Sequence, residues 1–347
     1  MAAQSDRLGL LIRSLRLLPL AVAFLLLACS GVETDVPERW VLSNVHIAGY
    51  PTAEGLVRFA ELLAEDPKLE GRITIDLQLG GVLGNEKETL EKLRFGAIQM
   101  ACVSAAPLQE FAPVSGVLAL PFLFENGEHL WRVLDSGVGD EIAAGLTEAG
   151  FVPLAWYDAG ARSFYNRVRP IVRPEDLRGL KIRVQRSEMM RDLVEALGAS
   201  PVALGFKQVY TSLHTGAIDG AENNLPSYRS ERHFEASRFY SLDRHAIVPD
   251  VLVVARERWR ELSTEEQIAL RTAAQASAHL QRELWADYRQ KAAETVTEAG
   301  CRINEVEDPN AFRQAVQPVY EKHAGRYGDL VDRIRELGGH LSGPPLR

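Results

Sequence analysis

Apolar and polar residues recur along this chain in two periods, and the switches between them mark its elements. Residues 72–79 (RITIDLQL) alternate one by one, which predicts a half-buried strand. Before them, Leu56, Phe59, Ala60 and Leu63 recur at helical spacing within residues 52–65. After Gly80-Gly81, Leu90 and Leu93 place a helix over residues 86–95, closed by Gly96. Residues 98–103 form a near-continuous apolar run that reads as a buried strand. This order predicts an α/β sheet with crossover helices.

A second set begins near Phe151. Residues 152–157 and 163–165 read as strands. In residues 180–185, Leu180, Ile182 and Val184 share one face while Lys181, Arg183 and Gln185 share the other. Helices are predicted over residues 187–197, closed by Gly198, and 206–215, closed by Gly216. Asp219-Gly220 reads as a turn and residues 251–255 as an apolar strand. Ser263 and Glu266 then form a capping-box pattern, and residues 264–299 contain neither proline nor glycine. A stripe of Ala273, Ser277, Leu280, Leu284, Tyr288, Ala292 and Val296 runs down this stretch. One continuous helix there would be about 54 Å long, more than a small domain is wide, and would bridge two lobes. Two shorter helices with a break are the alternative. The glycine- and proline-rich end, 336–347, reads as a flexible tail.

The first residues read as an address. Arg7, Arg13 and Arg16 precede an apolar run over residues 17–28, too short for the roughly 20 residues of a membrane span. Leu26-Leu27-Ala28-Cys29 resembles a bacterial lipobox, so residues 1–28 are expected to be a signal peptide and Cys29 a lipidation site. An ordinary signal peptide with Cys29 incidental is the other reading. Export permits disulfides, but Cys102 and Cys301 do not announce one, and two free buried thiols are expected.

The formal net charge is −8; Arg7, Arg13 and Arg16 against Asp6 put +2 in residues 1–28, leaving the rest at −10. An acidic body argues against nucleic acid or an anionic lipid surface as partner. An anionic small ligand stays open, because a local arginine pair can override the global sign in a cleft. No phosphate-binding glycine loop, nucleophile elbow or zinc-ligand spacing is present. No cofactor or metal is expected.

The informative stretch runs from Trp156 to Tyr228. It holds Gly160-Ala161-Arg162-Ser163-Phe164-Tyr165-Asn166, Lys181-Ile182-Arg183-Val184 and Asp219-Gly220-Ala221-Glu222-Asn223-Asn224. In these blocks, and in Ala119-Leu120-Pro121-Phe122-Leu123-Phe124, the chain resembles the solute-binding subunits of tripartite ATP-independent periplasmic (TRAP) transporters, the DctP-like family. The resemblance implies two α/β lobes of a periplasmic-binding-protein fold joined by hinge strands and a long helix. The expected lobes are 36–158 plus 248–285 and 159–247 plus 286–335.

It further implies a periplasmic, exported receptor that closes on an organic acid, catalyses nothing and delivers its ligand to small and large membrane permease subunits. Membrane contact would come only through a lipid anchor. Arg183 would grip a ligand carboxylate with two parallel hydrogen bonds, geometry that a guanidinium matches. Arg162 is expected as a second ligand-facing arginine, Asn223 as an amide on the carboxylate, and Phe206 as an aromatic platform. Glu86 would accept bonds from hydroxyls or cap its helix. His46, Tyr50, Ser104 and Gln185 are weaker candidates for the same cleft. The details resemble the branch that binds sugar acids such as glucuronate and galacturonate. A C4-dicarboxylate remains open, with Arg162 as its second cation, as does a sugar-acid enzyme or sensor on this scaffold. Asn223 follows Glu222 where a metal-using branch has tryptophan, so a metal-dependent site is not expected.

Overall fold

The computed structural model describes residues 37–69 and 71–339. The leader, Cys29 and residues 340–347 of the tail lie outside the described residues. The strands in chain order are β1 (Glu38–Ser43), β2 (Ile73–Gln78), β3 (Met100–Ser104), β4 (Phe151–Tyr157), β5 (Ala161–Asn166), β6 (Lys181–Val184), β7 (Ser200–Ala203), β8 (Gly220–Asn223), β9 (Phe239–Ile247), β10 (Asp250–Ala255) and β11 (Arg302–Glu305). They form two sheets, ordered β2-β1-β3-β10-β4 and β11-β9-β5-β8-β6-β7. In the first, β1 runs parallel to β2 and β3, while β10 lies antiparallel between β3 and β4. In the second, β6 is parallel to β7 and β8, and β5 is antiparallel to β8 and β9. The α/β class expected from the pattern is the class observed.

Each sheet has a core. Trp40, Leu42, Leu56, Phe59 and Leu252 pack with Ala273, Ala274 and Ala278 of the long helix on the first. Phe164, Ile182, Val184 and Leu193 pack with Leu120, Leu123, Phe312 and Tyr320 on the second. Each large aliphatic or aromatic side chain buried this way contributes about 1.5–3 kcal/mol. Leu120 and Leu123 thus share the second sheet's core although they precede β4 in sequence. Cys102 on β3 and Cys301 ahead of β11 are both buried and free, as expected.

The chain passes from the first sheet to the second between β4 and β5, and returns between β9 and β10. The helix Thr264–Glu298 is unbroken over 35 residues, about 52 Å at 1.5 Å per residue. Ser263 and Glu266 form the expected reciprocal cap at its start. Its first half packs on the helix Pro51–Glu65 and on β4, and it also contacts the helix Leu225–Ser230, so it does span the two sheets. The expected stripe is partly wrong. Leu284 is exposed, and the buried line runs Ala273, Ser277, Gln281, Trp285. Gln281 is buried because it holds the first crossing: Asp158 N donates to Oε1 at 2.8 Å and Nε2 donates to Asp158 O at 2.7 Å. Two residues on, Gly160 has φ +59°, and a Cβ there would stand 3.0 Å from the Trp285 ring. Only glycine fits this crossing without strain.

Two further expectations need correction. Residues 206–208 are a separate 3₁₀ turn before the helix Val209–Thr215, because Gly205 breaks the entry and the Gln208 side chain caps it. Gly220 is not the second half of a turn but the first residue of β8, paired with Asn166. Among the described residues, no helix is long and apolar enough to cross a membrane.

Candidate ligand-binding site

β6 carries Arg183 into the interior, where its side chain is 2% exposed. Parallel pairing with β7 sets Arg183 opposite Val202, so the carbonyl of Leu204, just past β7, comes within reach. Nε and Nη2 both donate to that carbonyl, at 2.9 and 2.7 Å. This fixes the guanidinium plane and leaves Nη1 and the outer edge unused. Among the described residues Arg183 makes no ion pair. Burial pushes it down from the ordinary guanidinium value, partly offset by the Glu222 carboxylate. A buried cation without an adjacent anion is costly unless a partner arrives.

Arg183 lines a small interior cavity with Arg162, Asn223, Glu86, Phe206, Gln185, His46 and Ser104. The sequence candidates, drawn from positions 46 to 223, therefore converge on one place. Tyr50 does not line the cavity. It stacks behind His46, with ring centroids 3.8 Å apart at 6°, and its hydroxyl bonds to Ser227 at 3.0 Å.

Arg162 differs from Arg183. β5 and β8 pair antiparallel with Phe164 opposite Glu222, which brings Arg162 diagonally onto the Glu222 carboxylate. Nε donates to Oε2 at 2.5 Å and Nη2 to Oε1 at 3.0 Å. Much of this fork is thus spent inside the protein. Burial lowers the Arg162 pKa, but Glu222 outweighs it and the net shift is upward. On the other side of Glu222 stands His245, with Nε2 at 3.4 Å, and its Nδ1 bonds to Asp243 at 2.8 Å. The result is a buried chain, Arg162–Glu222–His245–Asp243.

Burial alone would lower the His245 pKa, but Asp243 and Glu222 outweigh it and lift it to about 9. Burial alone would raise Glu222, but Arg162 and His245 outweigh it and hold it at about 2. His245 therefore contributes stability in full below its ordinary value of about 6.5, and loses it as pH rises through about 9. Glu222 contributes above its ordinary value and loses it only as pH falls toward about 2. Buried His233, lowered to about 3 by desolvation, adds stability as pH rises toward about 6.5. The melting temperature should peak near pH 6.5 and decline toward pH 9, and His245→Gln should flatten that decline, as read by calorimetric scans. An unchanged decline in the variant would show that His245 is not the group losing its proton.

The remaining polar groups are underused. Glu86 does not cap its helix: Asn85 and Glu88 form the capping box. Its Oε1 accepts from Ser104 N at 2.8 Å and its Oε2 lies 3.4 Å from Gln185 Nε2. Burial raises its pKa. His46 Nδ1, Ser104 Oγ and Gln185 Oε1 are buried with no partner among the described residues. Each such group costs about 1–3 kcal/mol until something bonds it. Asn223 Oδ1 accepts from Asn224 N at 2.8 Å, and its Nδ2 makes no bond among the described residues. Phe206 meets the His46 ring edge-on at 5.7 Å.

Sequence reasoning missed Asp250, Asn224 and Ser227 in the lining. It quoted Glu222 only as part of a motif and did not foresee its place beside Arg162. Asp250 lies at the start of β10, with Oδ2 3.7 Å from His46 Nε2. The polar residue before an apolar strand was its one signal.

Residues 42–326 match the model of the bacterial extracellular solute-binding proteins, family 7. The chain belongs to this family. Its relatives are binding receptors rather than enzymes, and this solute-binding protein has the same two-sheet fold. A TRAP periplasmic solute-binding protein of Roseobacter denitrificans, solved with bound β-D-glucuronate, superposes with a TM-score of 0.84 at 41% identity, over 86% of this chain and 99% of that one. One from Bradyrhizobium, in complex with α/β-D-galacturonate, gives 0.83 at 40% identity, over 86% and 100%. The 2,3-diketo-L-gulonate-binding periplasmic protein of Escherichia coli is 33% identical over 284 residues, 81% of this chain and 86% of that protein.

Proposed function

We propose that this protein is the extracytoplasmic receptor of a TRAP transporter and that its solute is a hexuronate, D-glucuronate or D-galacturonate. The observation that carries the reading is Arg183, a buried guanidinium with its outer edge unused and no acid paired to it among the described residues. A ligand carboxylate supplies the missing charge through two charge-assisted bonds of about 1.5–3 kcal/mol each. Asn223 Nδ2 assists. His46, Ser104, Gln185 and Glu86 take the ring hydroxyls, and Phe206 covers an apolar face of the sugar. Tyr50 acts by holding His46 in place. Relatives with bound glucuronate and galacturonate support this choice.

A dicarboxylate fits less well. The Arg162 fork is occupied by Glu222, and the other charged groups on the cavity wall, Glu86 and Asp250, are acids. The two sheets are taken as the centres of two lobes that close over the ligand, with the crossings and the long helix as hinge. The leader serves export to the periplasm, with Cys29 as the lipid attachment point. The loaded receptor hands its solute, chemically unchanged, to the small and large membrane subunits.

A thermal-shift series tests the choice of solute. D-Glucuronate and D-galacturonate should raise the melting temperature, and succinate and D-glucose should not, because a ligand stabilises the state it binds. A larger shift with succinate than with either hexuronate would reassign the site to dicarboxylates.

A further inference from the structure

A second cavity, of roughly 500 Å³ and open to solvent, shares no lining residue with the first. The crossing between β4 and β5 separates them: Ala159 and Arg162 line the first, and Asp158, Gly160 and Ala161 line the second. The long helix contributes Arg282, Trp285 and Arg289, and the second sheet's side contributes Asp243, Arg244 and Arg313.

Its charge is unbalanced. Arg244 is paired with Glu305 at 2.6 Å. Among the described residues, Arg282, Arg289 and Arg313 make no ion pair. Arg282 lies 3.5 Å over the Trp131 ring and donates Nη2 to Trp156 O at 3.3 Å; Arg313 lies 5.5 Å over Phe122 and donates Nη1 to Asn310 Oδ1 at 3.1 Å; the other edge N–H groups of both, the buried Nε of Arg282 among them, have no partner among the described residues. Of the acids on the wall, Asp243 is committed to His245, while Asp158 accepts from Gly160 N at 2.7 Å and offsets part of the charge of Arg282 and Arg289. Glu125 is the remaining carboxylate. The wall is also strained. Phe122 and Arg244 hold φ at +56° and +49°, conformations that side-chain-bearing residues rarely adopt and that persist where the surroundings enforce them.

We propose that this hinge pocket is a second anion site, for a small organic polyanion with two or more acidic groups, and that its occupancy tightens ligand binding in the first cavity. The geometry gives two reasons for the coupling. The pocket is built from the first crossing, from the long helix whose first half packs on the first sheet, and from the second sheet's side, so a bound anion favours the arrangement in which its walls stand as they do here. In that arrangement the first cavity is enclosed, with Gln185 meeting Glu86 and Tyr50 meeting Ser227. The buried chain also joins the two sites end to end: Asp243 lines the second cavity and Arg162 the first, with Glu222 and His245 between them. A ligand that binds one arrangement better shifts the population toward it. Anion binding at the pocket stands independently of the hexuronate proposal; the coupling readout rests on it.

The experiment titrates citrate, by calorimetry, into the full protein saturated with D-glucuronate, which keeps citrate out of the first cavity. One saturable site is expected. The double variant Arg289→Gln/Arg313→Gln should weaken citrate binding by about tenfold or more, since each lost charge-assisted bond is worth about that factor. Arg282 is left intact because it packs on Trp131 at 3.5 Å, far closer than Arg313 on Phe122 at 5.5 Å. In wild type, citrate should tighten D-glucuronate binding by about fivefold or more, and in the double variant it should not. Without citrate, the variant should bind D-glucuronate like wild type and melt at the same temperature. Absence of saturable citrate binding, equal binding by the double variant, competition between citrate and D-glucuronate, or reproduction of the effect by sodium chloride at matched ionic strength would each overturn the site. Citrate binding that the variant abolishes but that leaves D-glucuronate affinity unchanged would overturn the coupling. Should D-glucuronate itself fail to bind, the comparison of wild type and double variant with citrate alone still decides the pocket.

Discussion

Arg183→Ala is expected to abolish measurable hexuronate binding while leaving the protein folded. Two charge-assisted bonds to a carboxylate in a cavity closed to water are worth about 3–6 kcal/mol, or about 10²–10⁴ in affinity. The effect on stability should be small, for a reason specific to this residue. The unliganded protein carries the cost of burying the Arg183 charge and gains no ion pair in return; its two donor bonds end on one carbonyl, Leu204 O. Removing the side chain gives up those bonds and removes the buried charge together. Arg183→Lys should bind measurably but weakly, because an ammonium keeps the charge and loses the planar fork. Calorimetry for affinity and scanning calorimetry for stability check both variants. A large fall in melting temperature with Arg183→Ala would mean the guanidinium is structural.

Arg162→Ala should behave in the opposite way. Its loss strands the Glu222 carboxylate, which is fully buried and keeps His245 as its one ion-pair partner among the described residues. Breaking a buried pair from one side costs about 3–5 kcal/mol. The melting temperature should drop well before affinity can be read. Glu222→Gln, which removes the stranded charge, should restore part of the loss in the double variant with Arg162→Ala. Thermal unfolding of the two single variants and the double completes the cycle. Additive losses would show that Arg162 and Glu222 do not act as a pair. The two arginines stand in similar sequence blocks, yet one is poised for a ligand and the other is largely consumed by the protein.

That difference was beyond the reach of sequence reading. Position 183 was legible because alternation in β6 puts the arginine opposite the apolar face and the surrounding motif is distinctive. The partner of Arg162 was not, since Glu222 lies sixty residues away and meets it only through the β5–β8 register. His245 and Asp250 escaped for the same reason: neither the polar cluster Asp243-Arg244-His245 in β9 nor the lone Asp250 at the start of β10 carries a local period that marks a site. The long helix was legible from its cap and its lack of glycine and proline. Its buried face was misread at Leu280 and Leu284, because hydrophobicity alone cannot foresee Gln281 turning inward to satisfy the backbone of Asp158. A buried polar group is set by the partner that finds it, and partners belong to the tertiary structure.

The most direct measurement varies the ligand instead of the protein. D-Glucuronate and D-glucuronamide have nearly the same shape, but only the first carries a charge for Arg183 to pair. Calorimetric titration of wild-type protein should give tight binding of the acid and no measurable binding of the amide, and Arg183→Ala should erase the difference between them. Equal affinity of the wild-type protein for acid and amide would contradict the claim that a buried, unpaired guanidinium selects the ligand by its charge.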